Sequence, residues 1–154
     1  MMSTRTFPAV ERSLTVDVSP DWAFRFFTEK IGDWWPLEDY STFAMDGRGR
    51  PDEIVFEPGV GGRVLERLGD EEAVWGEVRL WEPPNRVTFS WKTNPEWAAD
   101  TEVEITFSPE RNGTRVRLRH TGWERLGDRA EAAHASYAGG WGEVLAHYES
   151  AVAK

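Results

Sequence analysis

The chain contains no cysteine. Disulfides, thiolate zinc sites and cysteine nucleophiles are therefore excluded. Histidine is scarce, with three scattered copies, so neither a structural zinc site nor any other metal centre is expected, and no cofactor is called for. No stretch approaches the roughly 20 apolar residues of a membrane span. The N-terminal MMSTRTFPAVERS has no apolar run of the kind a signal peptide needs, so a cytoplasmic protein is expected. The HExxH pair, the P-loop and the G-x-S-x-G elbow are all missing. Gly59-Val60-Gly61-Gly62 lies between strands rather than opening a helix and reads as a turn. Asn112-Gly113-Thr114 matches a glycosylation sequon, but Asn-Gly is better explained as a hairpin turn. Positive charge is also in deficit. A net charge of −9 argues against nucleic-acid backbones and anionic membrane surfaces as partners. The one basic run, Arg115, Arg117 and Arg119, reads as a solvated strand face opposite acidic neighbours.

What the chain has in excess is tryptophan: nine copies in 154 residues, with 13% aromatics in all. The length fits one domain, its core spanning about residues 8–153, with room for a single sizeable core. Each buried Trp adds a large apolar area and an N–H that wants a partner. Nine of them are hard to pack around a small core without leaving irregular space. The densest stretch is WGEVRLWEPPNRVTFSW, Trp75 to Trp91, two strands around a Pro83-Pro84 corner. Its aromatics line either a packed core or a cavity.

Periodicity orders the elements. Residues 10–18 alternate, with Leu14, Val16 and Val18 inward, as in a half-buried strand. Ser19-Pro20 supplies an N-cap and a proline at the first helical position, and Asp21 adds favourable charge. That helix should run to about Ile31 and stop at Gly32, with a second short helical turn at Asp33–Pro36. Residues 37–51 lack periodicity and read as a long loop, of the kind that forms lids and binding segments. Strands come next at 52–56, 63–68, 73–81, 86–92, 102–108 and 114–121, an antiparallel meander. A turn centred on Arg111-Asn112 should set Val103 opposite His120 and Glu104 opposite Arg119. The last element is a helix from about Asp128 to Val152, with Tyr137, Trp141, Leu145, Tyr148 and Val152 on one stripe. Gly139, Gly140 and Gly142 interrupt it at about 1 kcal/mol each relative to Ala. They need a reason: close approach to a strand, a bulge, or room for a ligand.

This order is α+β, a helix-grip arrangement, and the motifs agree with it. They are Val16–Pro20 with Ala23–Phe27, Trp34-Trp35, Gly61-Gly62-Arg63, Trp75-Gly76-Glu77-Val78, Trp81-Glu82-Pro83-Pro84, Val87–Trp91, His120-Thr121-Gly122-Trp123 and Gly140-Trp141. On these residues the chain resembles the SRPBCC (START-like, Bet v 1-like) superfamily. Within it, the chain looks like the family related to the C-terminal domain of activators of heat-shock-protein-90 ATPase. The resemblance implies a seven-stranded antiparallel sheet curved around the C-terminal helix, with a cavity between them capped by two short helices. It also implies apolar small-molecule ligands, and in some members enzymatic activity.

Strand parity picks the candidate site. His120 shares the inward face with Val116 and Leu118, where an imidazole could exchange a proton with a ligand or simply be satisfied by a core partner. Glu66 shares a face with Val64 and Leu68. A carboxylate there could be an acid or base, or could pair with a donor. Phe89 and Trp91 point inward, whereas strict alternation turns Trp75 and Trp81 outward or to the rim unless a bulge near Gly76 intervenes. With Trp35, Tyr137 and Trp141, the inward aromatics suggest a cavity suited to a flat or apolar ligand. Three functions fit, in this order. The first is binding of a small apolar or aromatic ligand. The second is an enzyme of the cyclase, dehydratase or hydrolase kind using His120 and Glu66. The third is a co-chaperone-like interaction module, placed last because the eukaryotic activators join this domain to a separate N-terminal one that these 154 residues do not contain. A homodimer is compatible with each.

Overall fold

A computed structural model describes residues 7–153. Seven antiparallel strands form one curled sheet in the order β1-β7-β6-β5-β4-β3-β2. They are β1 (Val10–Val16), β2 (Glu53–Phe56), β3 (Arg63–Leu68), β4 (Glu71–Glu82), β5 (Arg86–Trp91), β6 (Thr101–Glu110) and β7 (Gly113–Thr121). The helices are α1 (Pro20–Thr28), α2 (Thr42–Met45) and the long α3 (Ala130–Val152). The expected helix-grip architecture is present, with the core between the concave sheet face and the helices.

Local chemistry explains the elements. Ser19 caps α1 by accepting from the Trp22 amide at 3.2 Å, and Pro20 and Asp21 occupy the first turn. Ala23, Phe24, Phe26 and Phe27 are the face α1 buries. The helix ends at Thr28, earlier than the expected Ile31, and a 3-10 turn over Ile31–Asp33 replaces its last residues. The β6–β7 hairpin turns at Asn112, whose φ of 66° is left-handed. Its register sets Val103 against His120 and Glu104 against Arg119, as the turn position predicts. On the outer face Arg119 meets Glu11 at 3.6 Å and Arg115 meets Glu110 at 3.2 Å, while Arg117 stands exposed between Ser13 and Thr106, so the basic run is a solvated stripe paired at its two ends.

Helix α3 begins two residues later than expected. A 3-10 segment over Trp123–Arg129 precedes it, broken at Gly127. Trp141, Leu145, Tyr148 and Val152 of its stripe are buried and Tyr137 is half-buried. Two of the three glycines lie beside side chains of other elements, at distances a Cβ would meet as ordinary contact. A Cβ at Gly142 would lie 3.5 Å from the Arg12 guanidinium, which reaches from the edge strand β1 to donate to the Ala138 carbonyl. A Cβ at Gly140 would lie 3.4 Å from the Tyr40 ring. Gly139 faces open space.

Two expectations are corrected here. Trp75 and Trp81 face inward, because β4 carries two bulges. Val64 pairs with Gly76 and Leu65 with Val74, which leaves Trp75 as the extra residue. Val78 pairs with Phe89 and Leu80 with Thr88, which leaves Arg79 extra. Each insertion flips the parity of the residues beyond it. Trp75 is thereby buried, and Trp81 packs edge-on against Phe24 at 5.1 Å. The 37–51 segment is also not all loop: Ser41 caps the short α2 by accepting from the Ala44 amide.

The bulge places Gly76 against the next strand so tightly that a Cβ would sit 1.7 Å from the Ser90 carbonyl oxygen. A backbone atom has no rotamer to escape by. Gly76→Ala should therefore destabilise the protein by about 3 kcal/mol, the upper end of overpacking costs, read as a lowered denaturation midpoint with an unchanged m-value.

Candidate functional site

A cavity of about 220 Å³ opens between the end of β5, the glycine-bearing part of α3 and the segment around α2. Trp35, Trp91, Tyr137, Trp141 and Val144 wall it, Thr93 lies just past β5, and Asp39, Tyr40, Ser41, Met45, Ser136 and Gly140 complete the lining. The rings pack on one another: Trp91 and Trp141 are 5.3 Å apart, and Trp35 lies 5.9 Å from each. Hydrogen bonds fix their orientations. Trp35 Nε1 donates to the Tyr40 carbonyl at 2.6 Å, and Trp91 Nε1 donates to the Tyr137 hydroxyl at 3.2 Å. Tyr137 is also bonded to the Thr93 hydroxyl. Burial pushes the Tyr137 hydroxyl pKa up, against the pull of those two bonds, so the phenol stays protonated. Tyr40 crosses the rim, seated over Gly140, and donates to Glu143 on α3 at 2.6 Å. That carboxylate, aided by burial, pushes the Tyr40 phenol up to about 12.

His120 lies behind this wall rather than in it. It is fully buried, with the Trp123 ring 4.0 Å away. Its Nδ1 faces Trp141 Nε1 at 2.9 Å, and its Nε2 faces Thr101 Oγ1 at 2.6 Å. An indole N–H is only a donor, so Nδ1 must be the acceptor and the ring proton resides on Nε2. Thr101 receives that proton and passes its own to the Trp91 carbonyl at 2.8 Å. The chain from Trp141 to Trp91 leaves the imidazole no free lone pair and no free proton. Burial pushes its pKa down to about 3, with a smaller contribution from His134. The ring is therefore a neutral connector that holds two walls of the cavity in place.

Glu66 has an equally committed role. Its buried carboxylate accepts from the Thr42 amide at 2.8 Å, the Phe43 amide at 2.7 Å and Trp75 Nε1. The two free N–H groups at the start of α2 are satisfied by a side chain from β3, which pins the segment carrying Tyr40 and Met45 to the sheet. Glu66 and His120 share no bond. Phe89 is buried beneath Trp91 at 5.8 Å and against Phe56 at 5.3 Å. Of the seven residues expected from sequence, Trp35, Trp91, Tyr137 and Trp141 line the cavity, whereas Glu66, Phe89 and His120 support it from behind. The lining residues that sequence reasoning did not single out are chiefly Tyr40, Ser41, Thr93 and Val144. For Tyr40 and Ser41 the signal is the aperiodic 37–51 segment, which reads as a lid or binding segment; Thr93 and Val144 carry none.

The depressed pKa of His120 carries a pH dependence. The unfolded imidazole takes a proton near 6.5 and the folded one only near 3, so between those values the unfolded state holds more protons. Stability is intact above 6.5 and declines as pH falls toward 3, by at most about 1.4 kcal/mol per pH unit from this group. His120→Gln should flatten that part of the stability–pH curve measured by urea denaturation.

None of the curated proteins matches the sequence. Among solved structures, protein MLL2253 from Mesorhizobium loti superposes with a TM-score of 0.67 at 18% identity, over 92% of this chain and 94% of that one. The Aha1 dimer from Colwellia psychrerythraea gives 0.65 at 20% identity over 95% and 96%. At these identities the likeness is one of fold. An anthrahydroquino-γ-pyrone synthase, Txn09, is nearer in sequence: 32% identity over 97% of this chain and 99% of that one, with a TM-score of 0.63. Residues 17–153 match the model of one family, and the chain belongs to it: Activator of Hsp90 ATPase homolog 1-like protein.

Proposed function

We propose that the chain binds a small, flat, largely apolar aromatic molecule in the cavity between α3 and the sheet. The observation that carries this reading is the wall itself. Trp35, Trp91 and Trp141 present ring surfaces there while each indole N–H is bonded within the protein. What they offer a ligand is therefore stacking and edge contact. The volume of about 220 Å³ lies below the roughly 300–1,000 Å³ of drug-sized pockets, so the occupant is small or projects in part through the open mouth. The 32% identity with a synthase named for a fused anthrahydroquino-pyrone product supports the same ligand class.

That identity also favours a second reading, an enzyme of the cyclase, dehydratase or hydrolase kind. The bonding of His120 and Glu66 leaves neither free to act on a molecule in the cavity, so such an enzyme would work mainly by holding a reactive substrate folded. The two readings separate on stoichiometry: a binder retains one equivalent of ligand unchanged, whereas a synthase converts many. Native mass spectrometry of protein mixed with a fused aromatic ketone tests retention. Ser136 is exposed and lines the mouth. Ser136→Trp should weaken binding by about tenfold or more, some 1.4 kcal/mol, while leaving the melting temperature close to wild type. Undiminished binding would remove the cavity as the site.

A further inference from the structure

We propose that the cavity selects ligands bearing a neutral hydrogen-bond acceptor, a ring carbonyl above all, because the Tyr137–Thr93 pair has one hydroxyl proton with no acceptor among the described residues. This rests on the aromatic-ligand reading above and specifies its chemistry. Two hydroxyls carry two protons. Trp91 Nε1 can only donate, so it occupies a lone pair of the Tyr137 oxygen. The bond between Tyr137 and Thr93 consumes one hydroxyl proton, whichever residue donates it. If Thr93 donates, the Tyr137 proton is left over; if Tyr137 donates, the Thr93 proton is. Both residues line the cavity, and among the described residues neither hydroxyl has another partner.

The other side-chain donors of the wall are already used. Trp35 donates to the Tyr40 carbonyl and Trp141 to His120. Ser41 donates to the Leu37 carbonyl at 2.8 Å, and Tyr40 donates to Glu143. Ser136 is exposed at the rim, outside the ringed part of the wall, and Asp39, also exposed, is an acceptor and not a donor. Thr93 is itself held in place, its carbonyl accepting from the Thr42 hydroxyl at 2.6 Å. Behind the rim the pocket thus presents apolar rings and one spare hydroxyl proton, on Tyr137 or Thr93, next to Trp91. A hydrocarbon filling it would strand that proton, whereas a ketone, quinone or pyrone oxygen would accept it.

A matched pair of probes tests this: fluorene and 9-fluorenone, nearly identical in shape and differing in one carbonyl. Calorimetric titration of the wild-type protein should show 9-fluorenone binding about fivefold more tightly or better, the worth of one neutral hydrogen bond. The infrared carbonyl stretch of bound 9-fluorenone should fall below its value in hexane. In the Tyr137→Phe/Thr93→Val double variant the affinity ratio should drop to about one and the infrared shift should vanish. If that variant fails to fold, the wild-type ratio and the infrared shift decide alone. Equal binding of both probes with an unshifted carbonyl would overturn the proposal and leave the apolar pocket standing. Binding of neither would overturn both.

Discussion

An indole N–H taken out of water must find an acceptor, and this protein meets that requirement many times over in a small volume. Seven of the nine tryptophans donate a side-chain hydrogen bond: Trp22 to Val152, Trp34 to Phe26, Trp35 to Tyr40, Trp75 to Glu66, Trp91 to Tyr137, Trp123 and Trp141 to His120. An unpaired buried donor costs about 1–3 kcal/mol, so these acceptors are obligatory. The constraint explains the polar residues in the core. His120 serves two tryptophans at once, through its ring and through its carbonyl, and Glu66 serves a third.

The same constraint ties the cavity to its frame. The acceptor for Trp75 is a carboxylate that also holds the N-terminus of α2, so the burial of an indole on the sheet and the position of the segment across the pocket are set together. The acceptor for Trp141 is an imidazole whose other nitrogen reaches, through Thr101, the backbone of Trp91. The two rings that face each other in the wall are joined behind it by that relay. A wall braced in this way needs no ligand to order its rings.

Much of the fold can be read from the chain. Binary patterning and turn residues are strong in β1, β6 and β7, where nothing interrupts alternation, and the β6–β7 register is right to the residue. The misdirected tryptophans have one physical origin. A bulge shifts parity by one without altering composition, so Trp75 and Trp81 carry no local mark of their true direction. Gly76 was the clue, since a strand glycine signals a bulge or a close approach; here it is both. The short α2 escaped because it is four residues long and its local cap, Ser41, serves one amide, while the amides of Thr42 and Phe43 are served by Glu66, 24 and 23 residues away. Parity correctly placed His120 and Glu66 inside, but the direction of a side chain says nothing of who already occupies its atoms. Tyr137 and Trp141 were legible as cavity wall because helical stripe and glycine breaks coincide there.

The ring spacing has an optical consequence. Trp75, Trp35, Trp91 and Trp141 form an unbroken series with neighbouring centroids 5.1 to 5.9 Å apart. At that separation excited indoles exchange energy far faster than they emit. Excitation absorbed by any one of the four migrates among all of them, and a quencher against a single member darkens the group. The protein carries a light-collecting array around its own pocket.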